Sequence, residues 1–222
     1  MPETLPALIF DLDGTLVDTA PDLLGALNAV LAAEGRHGVD TATLRHMVGF
    51  GARSLIEQAM AASGAPVTAD RLPALVDRFI VHYRAHIADE SRPFPHVVET
   101  LAALADDGAR MGVLTNKPQE LTQPLLETLG LARYFTAIHG AGRYDYVKPD
   151  PRVFHHVVDE LGGGPAIMIG DSRTDVATAR AAGAPVILLS YGYTPEPART
   201  LGADAVIDDF ADVPAWVRKL AI

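Results

Sequence analysis

The sequence predicts an α/β fold: a doubly wound parallel sheet, Rossmann-like in its rhythm, with an α-helical domain inserted close to the N-terminus. Three observations predict it. Short apolar runs end in polar or glycine-containing turns and are followed by helical stretches, the alternation of parallel strands and crossover helices. One stretch, residues 21–86, reads as helices alone. The chemically capable side chains fall directly after the apolar runs, where an open parallel sheet places its ligands.

The elements follow in order. An apolar run at 7–10 leads straight into Asp11. Helical patterns occupy 22–34, a short piece around Thr43, 52–62 and 72–87, and the alternation resumes past Pro93 and Pro95. Strands are predicted at 111–114, 166–169 and 186–189, with a weaker one at 205–207. Helices are predicted at 96–106, 120–129, 151–161 and 174–182, with Gly130, Gly162 and Gly183 where a helix would stop. Trp216 is expected to seat a C-terminal helix on the core. Residues 1–18 and 88–222 are thus assigned to the sheet-bearing core and 19–87 to a helical cap, with no internal repeat or low-complexity tract.

Composition narrows the functional classes. The chain has 222 residues, 49% hydrophobic and 21% charged, which suits one well-cored domain with a smaller insertion. Its 28 acidic against 18 basic residues give a formal net charge of -10, which disfavours nucleic acid backbones and anionic membrane surfaces as partners. With no cysteine, disulfides, thiolate zinc sites and thiol catalysis are excluded. No signal-peptide pattern or long apolar span is legible, so a soluble, cytoplasmic monomer or homodimer is expected.

Asp11 and Asp13 stand two residues apart at a strand end, beside Gly14, which permits a tight turn next to a ligand. Such a pair suits Mg²⁺, a hard cation that takes oxygen ligands and shares them with phosphate and water. Taken singly, each feature has a plain structural reading: an Asx turn for Asp11 to Gly14, a polar strand end for Thr115 and Asn116, a solvated surface lysine for Lys148. Together with Asp171 and Asp175 after a later strand they converge on one end of the sheet. The histidines are read as structural: His155 and His156 are helix neighbours that do not share a face, and His46, His82 and His86 lack ligand spacing.

The run Asp11-Leu12-Asp13-Gly14-Thr15-Leu16-Val17-Asp18-Thr19 resembles the first signature of the haloacid-dehalogenase-like hydrolase superfamily, in its phosphatase branch. Leu114-Thr115-Asn116-Lys117 resembles the second, Lys148-Pro149-Asp150-Pro151 the third and Gly170-Asp171-Ser172-Arg173-Thr174-Asp175 the fourth, in the family's order and over nearly the whole chain. The resemblance implies a Mg²⁺-dependent phosphatase of a small phosphorylated metabolite. Asp11 would be the nucleophile that becomes an aspartyl-phosphate, and Asp13 the acid and then the base. Mg²⁺ would be held by Asp11, the Asp13 main-chain carbonyl and Asp171, with Asp175 steadying metal waters or Lys148. Gly14, Thr115, Asn116 and Lys148 would hold the phosphoryl oxygens, Lys148 also keeping Asp11 ionised. Lys117 is expected to face substrate or solvent.

The implied cap contributes a loop, Val48-Gly49-Phe50-Gly51-Ala52-Arg53, whose helix start attracts anions, and Arg53, or amides near Gly51, is the expected contact to a substrate carboxylate or second anionic group. Within the superfamily the sequence is similar to the bacterial phosphoglycolate phosphatases, through Pro21-Asp22-Leu23, the Val48 to Gly51 loop and the Gly170-Asp171-Ser172 motif. This implies 2-phosphoglycolate as substrate. The stretch Gly142-Arg143-Tyr144-Asp145-Tyr146 departs from that group. Alternatives are a phosphatase of sugar phosphates, nucleotides or pyrophosphate, a phosphomutase, and a non-enzymatic phospho-acceptor module. A dehalogenase would need neither Asp13 nor Asp171.

Overall fold

A computed structural model describes residues 5–221. In chain order the strands are β1 (Ala7–Phe10), β2 (Val17–Asp18), β3 (Arg92–Pro93), β4 (Met111–Pro118), β5 (Ala137–Ala141), β6 (Ala166–Gly170), β7 (Val186–Leu189) and β8 (Ala205–Ile207). The helices are α1 (Ala20–Ala33), α2 (Thr41–Arg45), α3 (Gly51–Ala62), α4 (Leu72–Ala85), α5 (Val97–Asp106), α6 (Gln119–Thr128), α7 (Pro151–Glu160), α8 (Arg173–Ala182) and α9 (Val213–Leu220). Six strands form one parallel sheet in the order β5-β4-β1-β6-β7-β8.

The alternation of side chains along each strand builds a core on both faces. Leu8 and Phe10, Ile167 and Ile169, and Ile187 and Leu189 share one cluster with Leu101, Leu125 and Val213 of α5, α6 and α9. Ala7 and Ile9, Ala166 and Met168, and Val186 and Leu188 share the other with Phe154 and Val157 of α7 and Ala179 of α8. Trp216 lies partly buried against the first cluster. Because β1 is covered on both faces, all four of its residues are buried and apolar, which is why so short a run is legible.

The predicted helices lie within about two residues of the observed ones, the usual disagreement at frayed ends. Two features were not foreseen. Strand β5 escapes because Ala137-Ile138-His139-Gly140-Ala141 is poor in β-branched and aromatic residues. Its Gly140 is required sterically: a Cβ there would lie 2.7 Å from the Lys117 carbonyl oxygen. Strand β4 runs on past the expected end at Leu114 to Pro118, so Thr115, Asn116 and Lys117 belong to the strand.

The helices of residues 20–85 form a third cluster of their own, including Leu27, Leu31, Ile56, Phe79 and Tyr83, closed on the sheet side by Leu121 and Tyr193. Two linkers join this helical layer to the sheet, pairing antiparallel as Val17 with Pro93 and Asp18 with Arg92. The buried Asp22 carboxylate clamps them by accepting from Glu90 N (3.0 Å), Ser91 N (2.8 Å) and Ser91 Oγ (2.5 Å). Among the described residues no helix is long and apolar enough to cross a membrane.

Candidate active site

The carboxyl ends of β1, β4 and β6 meet at one spot. Asp11 follows β1 directly and keeps register with β6 through its own N–H to Ile169 O, 2.9 Å. Its Oδ1 accepts from Leu12 N at 2.7 Å and pairs with Lys148 Nζ at 3.0 Å. Asp171, directly after β6, accepts from Thr15 Oγ1 at 2.6 Å and Tyr193 N at 2.8 Å.

Asp175 lies one turn into α8 and is completely buried. Its Oδ1 accepts from Lys148 Nζ at 2.7 Å, and its Oδ2 from Asp171 N, Ser172 N and Ser172 Oγ at 3.2, 3.0 and 2.7 Å. This is a capping arrangement, the carboxylate of the helix's third residue reaching back to the start of its own helix. It fixes Asp171 and Lys148 together.

Strand β4 contributes through a bulge. Leu114 pairs with His139 and Pro118 with Ala141, four steps of one strand against two of the other. The surplus residues arch toward the site. Thr115 Oγ1 accepts from Lys117 N at 3.2 Å, which leaves its own proton to donate. The Asn116 side chain accepts from Lys148 N at 3.0 Å and donates to Lys148 O and Gly49 O, each at 3.1 Å. It therefore clamps the lysine's backbone and touches the helical layer.

Asp13 has partners other than those of Asp11. Its Oδ1 accepts from Thr19 Oγ1 at 2.7 Å and from Lys117 Nζ at 3.0 Å. Lys117 also donates to Tyr83 Oη of α4 at 2.8 Å, with its ammonium 4.3 Å from that ring's centre.

Three expectations need correction. Lys117 does not face solvent; it is a buried partner of Asp13. Gly14 offers no free amide, since its N–H goes to Val17 O at 3.0 Å; its φ of +84° and the 2.7 Å that would separate a Cβ from Asp171 Oδ2 make it the residue that lets the first loop approach Asp171. Arg53 is not brought to the site: its side chain is 65% exposed and pairs with Glu57 one turn along α3 at 3.4 Å. Gly51 and Ala52 line the cavity instead, and the next helix position points elsewhere. The sequence reading missed Tyr83 and Tyr193, which bond Lys117 and the Thr19 amide across 34 and 174 residues and leave no local pattern.

The electrostatics are those of a crowded acidic cluster. Asp11, Asp171 and Asp175 each present an oxygen within 4.8 Å of the others. Burial pushes the Asp11 carboxyl up to about 6, with Asp175 adding to the rise and Lys148 opposing it. Burial, then the charges of Asp175 and Asp11, holds Asp171 well above the usual carboxylate range. Burial alone would lower Lys148, but Asp11 and Asp175 outweigh it and raise the lysine above its ordinary value. Three buried carboxylates against one lysine leave negative charge that a hard divalent cation would neutralise, and the donors are all oxygen. The residues therefore fit such an ion. Asp175 is committed by four hydrogen bonds, whereas Asp171 accepts one at each oxygen and Asp11 is engaged through Oδ1 alone, so Asp11 and Asp171 are the side chains with room to hold it.

A sheet of this order, split by a helical layer after its first strand and carrying acids at the ends of β1 and β6, defines a class. The model of the haloacid dehalogenase-like hydrolases matches residues 8–189, and the chain belongs to that family. It is 52% identical over 209 residues to a phosphoglycolate phosphatase of Caulobacter vibrioides, covering 93% of this chain and 88% of the relative. It is 46% identical over 218 residues to one of Agrobacterium fabrum, covering 97% and 94%. Among solved structures, a predicted phosphoglycolate phosphatase from Haemophilus somnus superposes with a TM-score of 0.89 at 30% identity, over 97% of this chain and 99% of that one.

Proposed function

We propose that this chain is a Mg²⁺-dependent phosphomonoester hydrolase that works through an aspartyl-phosphate on Asp11, with 2-phosphoglycolate as substrate. The observation that carries the chemistry is the pairing of Asp11 with Lys148 in a buried cluster that also contains Asp171, facing a cavity it shares with Asp13 and Thr115. The names of the relatives support the substrate.

In the first step an Asp11 oxygen forms a bond to phosphorus as the ester P–O bond breaks, and Asp13 gives its proton to the departing alkoxide. In the second, water attacks the phosphorus, Asp13 takes a proton from it, and phosphate leaves as Asp11 is regenerated. Lys148 neutralises the reacting carboxylate and a phosphoryl oxygen, and the Thr115 hydroxyl donates to another. Mg²⁺ held by Asp11 and Asp171, with the Asp13 carbonyl, would supply further charge neutralisation on the phosphoryl group. Asp175 keeps Lys148 and Asp171 in position.

Residues 19–87 serve as a cap over this centre, with the paired linkers at Val17–Asp18 and Arg92–Pro93 as the joint. The composition supports a cytoplasmic enzyme, monomeric or homodimeric.

The test is phosphate release from 2-phosphoglycolate, sugar phosphates, nucleoside monophosphates and pyrophosphate, with Mg²⁺ or with EDTA. Release from 2-phosphoglycolate above the others, lost in EDTA and in Asp11→Asn, is the expected result. Release that survives Asp11→Asn would rule out Asp11 as the nucleophile.

A further inference from the structure

Two basins flank the loop that carries Asp11 and Asp13. One contains Asp171; its arginine, Arg173, is committed to Glu196 with Nε to Oε2 at 3.0 Å. The other runs from Asp11 and Thr115 under the helical layer. Leu23, Leu55, Phe79 and Leu121 wall it, and among the described residues Lys117 is the one basic side chain lining it.

The polar groups of that second basin are not all used. An ammonium has three N–H groups. Lys117 directs one at Tyr83 Oη and shares the others between the two oxygens of Asp13, at 3.0 and 3.3 Å, so its charge is held by a single carboxylate. Tyr83 accepts from Lys117 and has its own O–H left to give. A free phenol O–H, beside an ammonium shared with Asp13, thus stands among leucine and phenylalanine side chains in a chamber that opens onto the nucleophile. A tail with several hydroxyls would bury them against leucine and phenylalanine without partners, each an unfavourable desolvation. A short tail ending in one anion finds its partner there.

We propose that Lys117 and Tyr83 are the receptor for a carboxylate on the substrate's leaving group, and that this receptor, split between sheet and helical layer, sets the preference for a short anionic phosphomonoester. The inference rests on the phosphatase reading above and names the groups that select its substrate. Because Tyr83 belongs to α4 and Lys117 to β4, the carboxylate is gripped only when the helical layer lies over the sheet, so the preferred substrate also holds the site closed.

The test uses two esters of similar size, 2-phosphoglycolate and ethyl phosphate, the second lacking the carboxylate. Binding is read by calorimetry in Mg²⁺ on Asp11→Asn protein, alone and combined with Lys117→Met or Tyr83→Phe. Turnover of both esters is read on the same two substitutions without Asp11→Asn, and thermal melting confirms that each variant folds. Lys117→Met is expected to weaken 2-phosphoglycolate binding by about 10- to 100-fold, and Tyr83→Phe by about 3- to 10-fold. Ethyl phosphate is expected to move by less than about 3-fold in Tyr83→Phe; Lys117→Met also unpairs Asp13, so there the binding loss on 2-phosphoglycolate is expected to exceed that on ethyl phosphate by about 5-fold or more. Equal weakening of the two esters, or of neither, overturns the receptor. If the unsubstituted enzyme releases phosphate from neither ester, the phosphatase reading of the substrate fails, and the binding comparison alone then decides the receptor.

Discussion

Asp11 and Asp13 stand two residues apart on one loop, each joined to a buried lysine, yet the two pairs are built differently. Lys148 meets two carboxylates, Asp11 at 3.0 Å and Asp175 at 2.7 Å, and its backbone is clamped by Asn116. Lys117 meets one carboxylate, Asp13, and a neutral phenol from the helical layer. The titration tendencies follow: charges outweigh burial at Lys148 and raise it, whereas burial outweighs Asp13 at Lys117 and lowers it. The first pair is held entirely by the sheet and its loops and stays put whatever the helical layer does. The second depends on that layer, whose phenol O–H remains an unused donor. A fixed charge suits the reacting phosphoryl group, and a conditional one suits recognition of what is attached to it.

The comparison breaks most easily at the nucleophile. Asp11→Asn is expected to lower turnover by about 10⁴-fold or more, measured as phosphate release under saturating substrate. Lys148→Met should cost about 10²- to 10³-fold in kcat with either 2-phosphoglycolate or ethyl phosphate, since its charge acts on the phosphoryl group common to both. If Lys117→Met matched that loss on ethyl phosphate as well, the two lysines would not differ in kind.

Metal removal sharpens the same contrast. Asp11 is raised to about 6, so between its unfolded value near 3.8 and about 6 the folded, metal-free protein binds more protons than the unfolded chain. Its stability in EDTA should therefore fall as pH rises through that window. Mg²⁺ requires ionised ligands, so it should raise the melting temperature by several degrees, ~2–8 °C, at pH 8 and by less at pH 5. An equal shift at both values would remove Asp11 and Asp171 from the metal site.

Smaller effects test the supports. Asn116→Ala removes two hydrogen bonds to the Lys148 backbone and one to Gly49, and should cost about 1–3 kcal/mol in urea unfolding, with a lowered kcat. Arg53→Ala is expected to leave kcat/KM for 2-phosphoglycolate within about twofold, because the side chain is solvated and paired locally.

Much of the fold was legible because its signals are local. The buried strands β1, β6 and β7 are apolar throughout, and the glycines after α6, α7 and α8 mark their ends. Strand β5 was not legible, since Ala137, Gly140 and Ala141 carry no strand preference and pair only because β4 lies beside them. At the site, Asp11, Thr115 and Asp171 were found because each directly follows an expected strand, and Lys148 and Asp175 because they stand in stretches that resemble family motifs. Arg53 was misjudged because a favourable helix start says nothing about which way the third residue of that helix points. Lys117 was misjudged because its surroundings come from Asp13 and Tyr83, 104 and 34 residues away.

The sequence by itself determined the reacting groups and the end of the sheet where they gather, because side-chain chemistry and strand position are written locally. Only the tertiary structure decided how the charges are shared. It bent β4 by two surplus residues, paired Asp13 with Lys117, and brought Tyr83 onto that lysine. The reason is physical: a buried charge is defined by the partners that replace water around it, and here those partners come from distant parts of the chain.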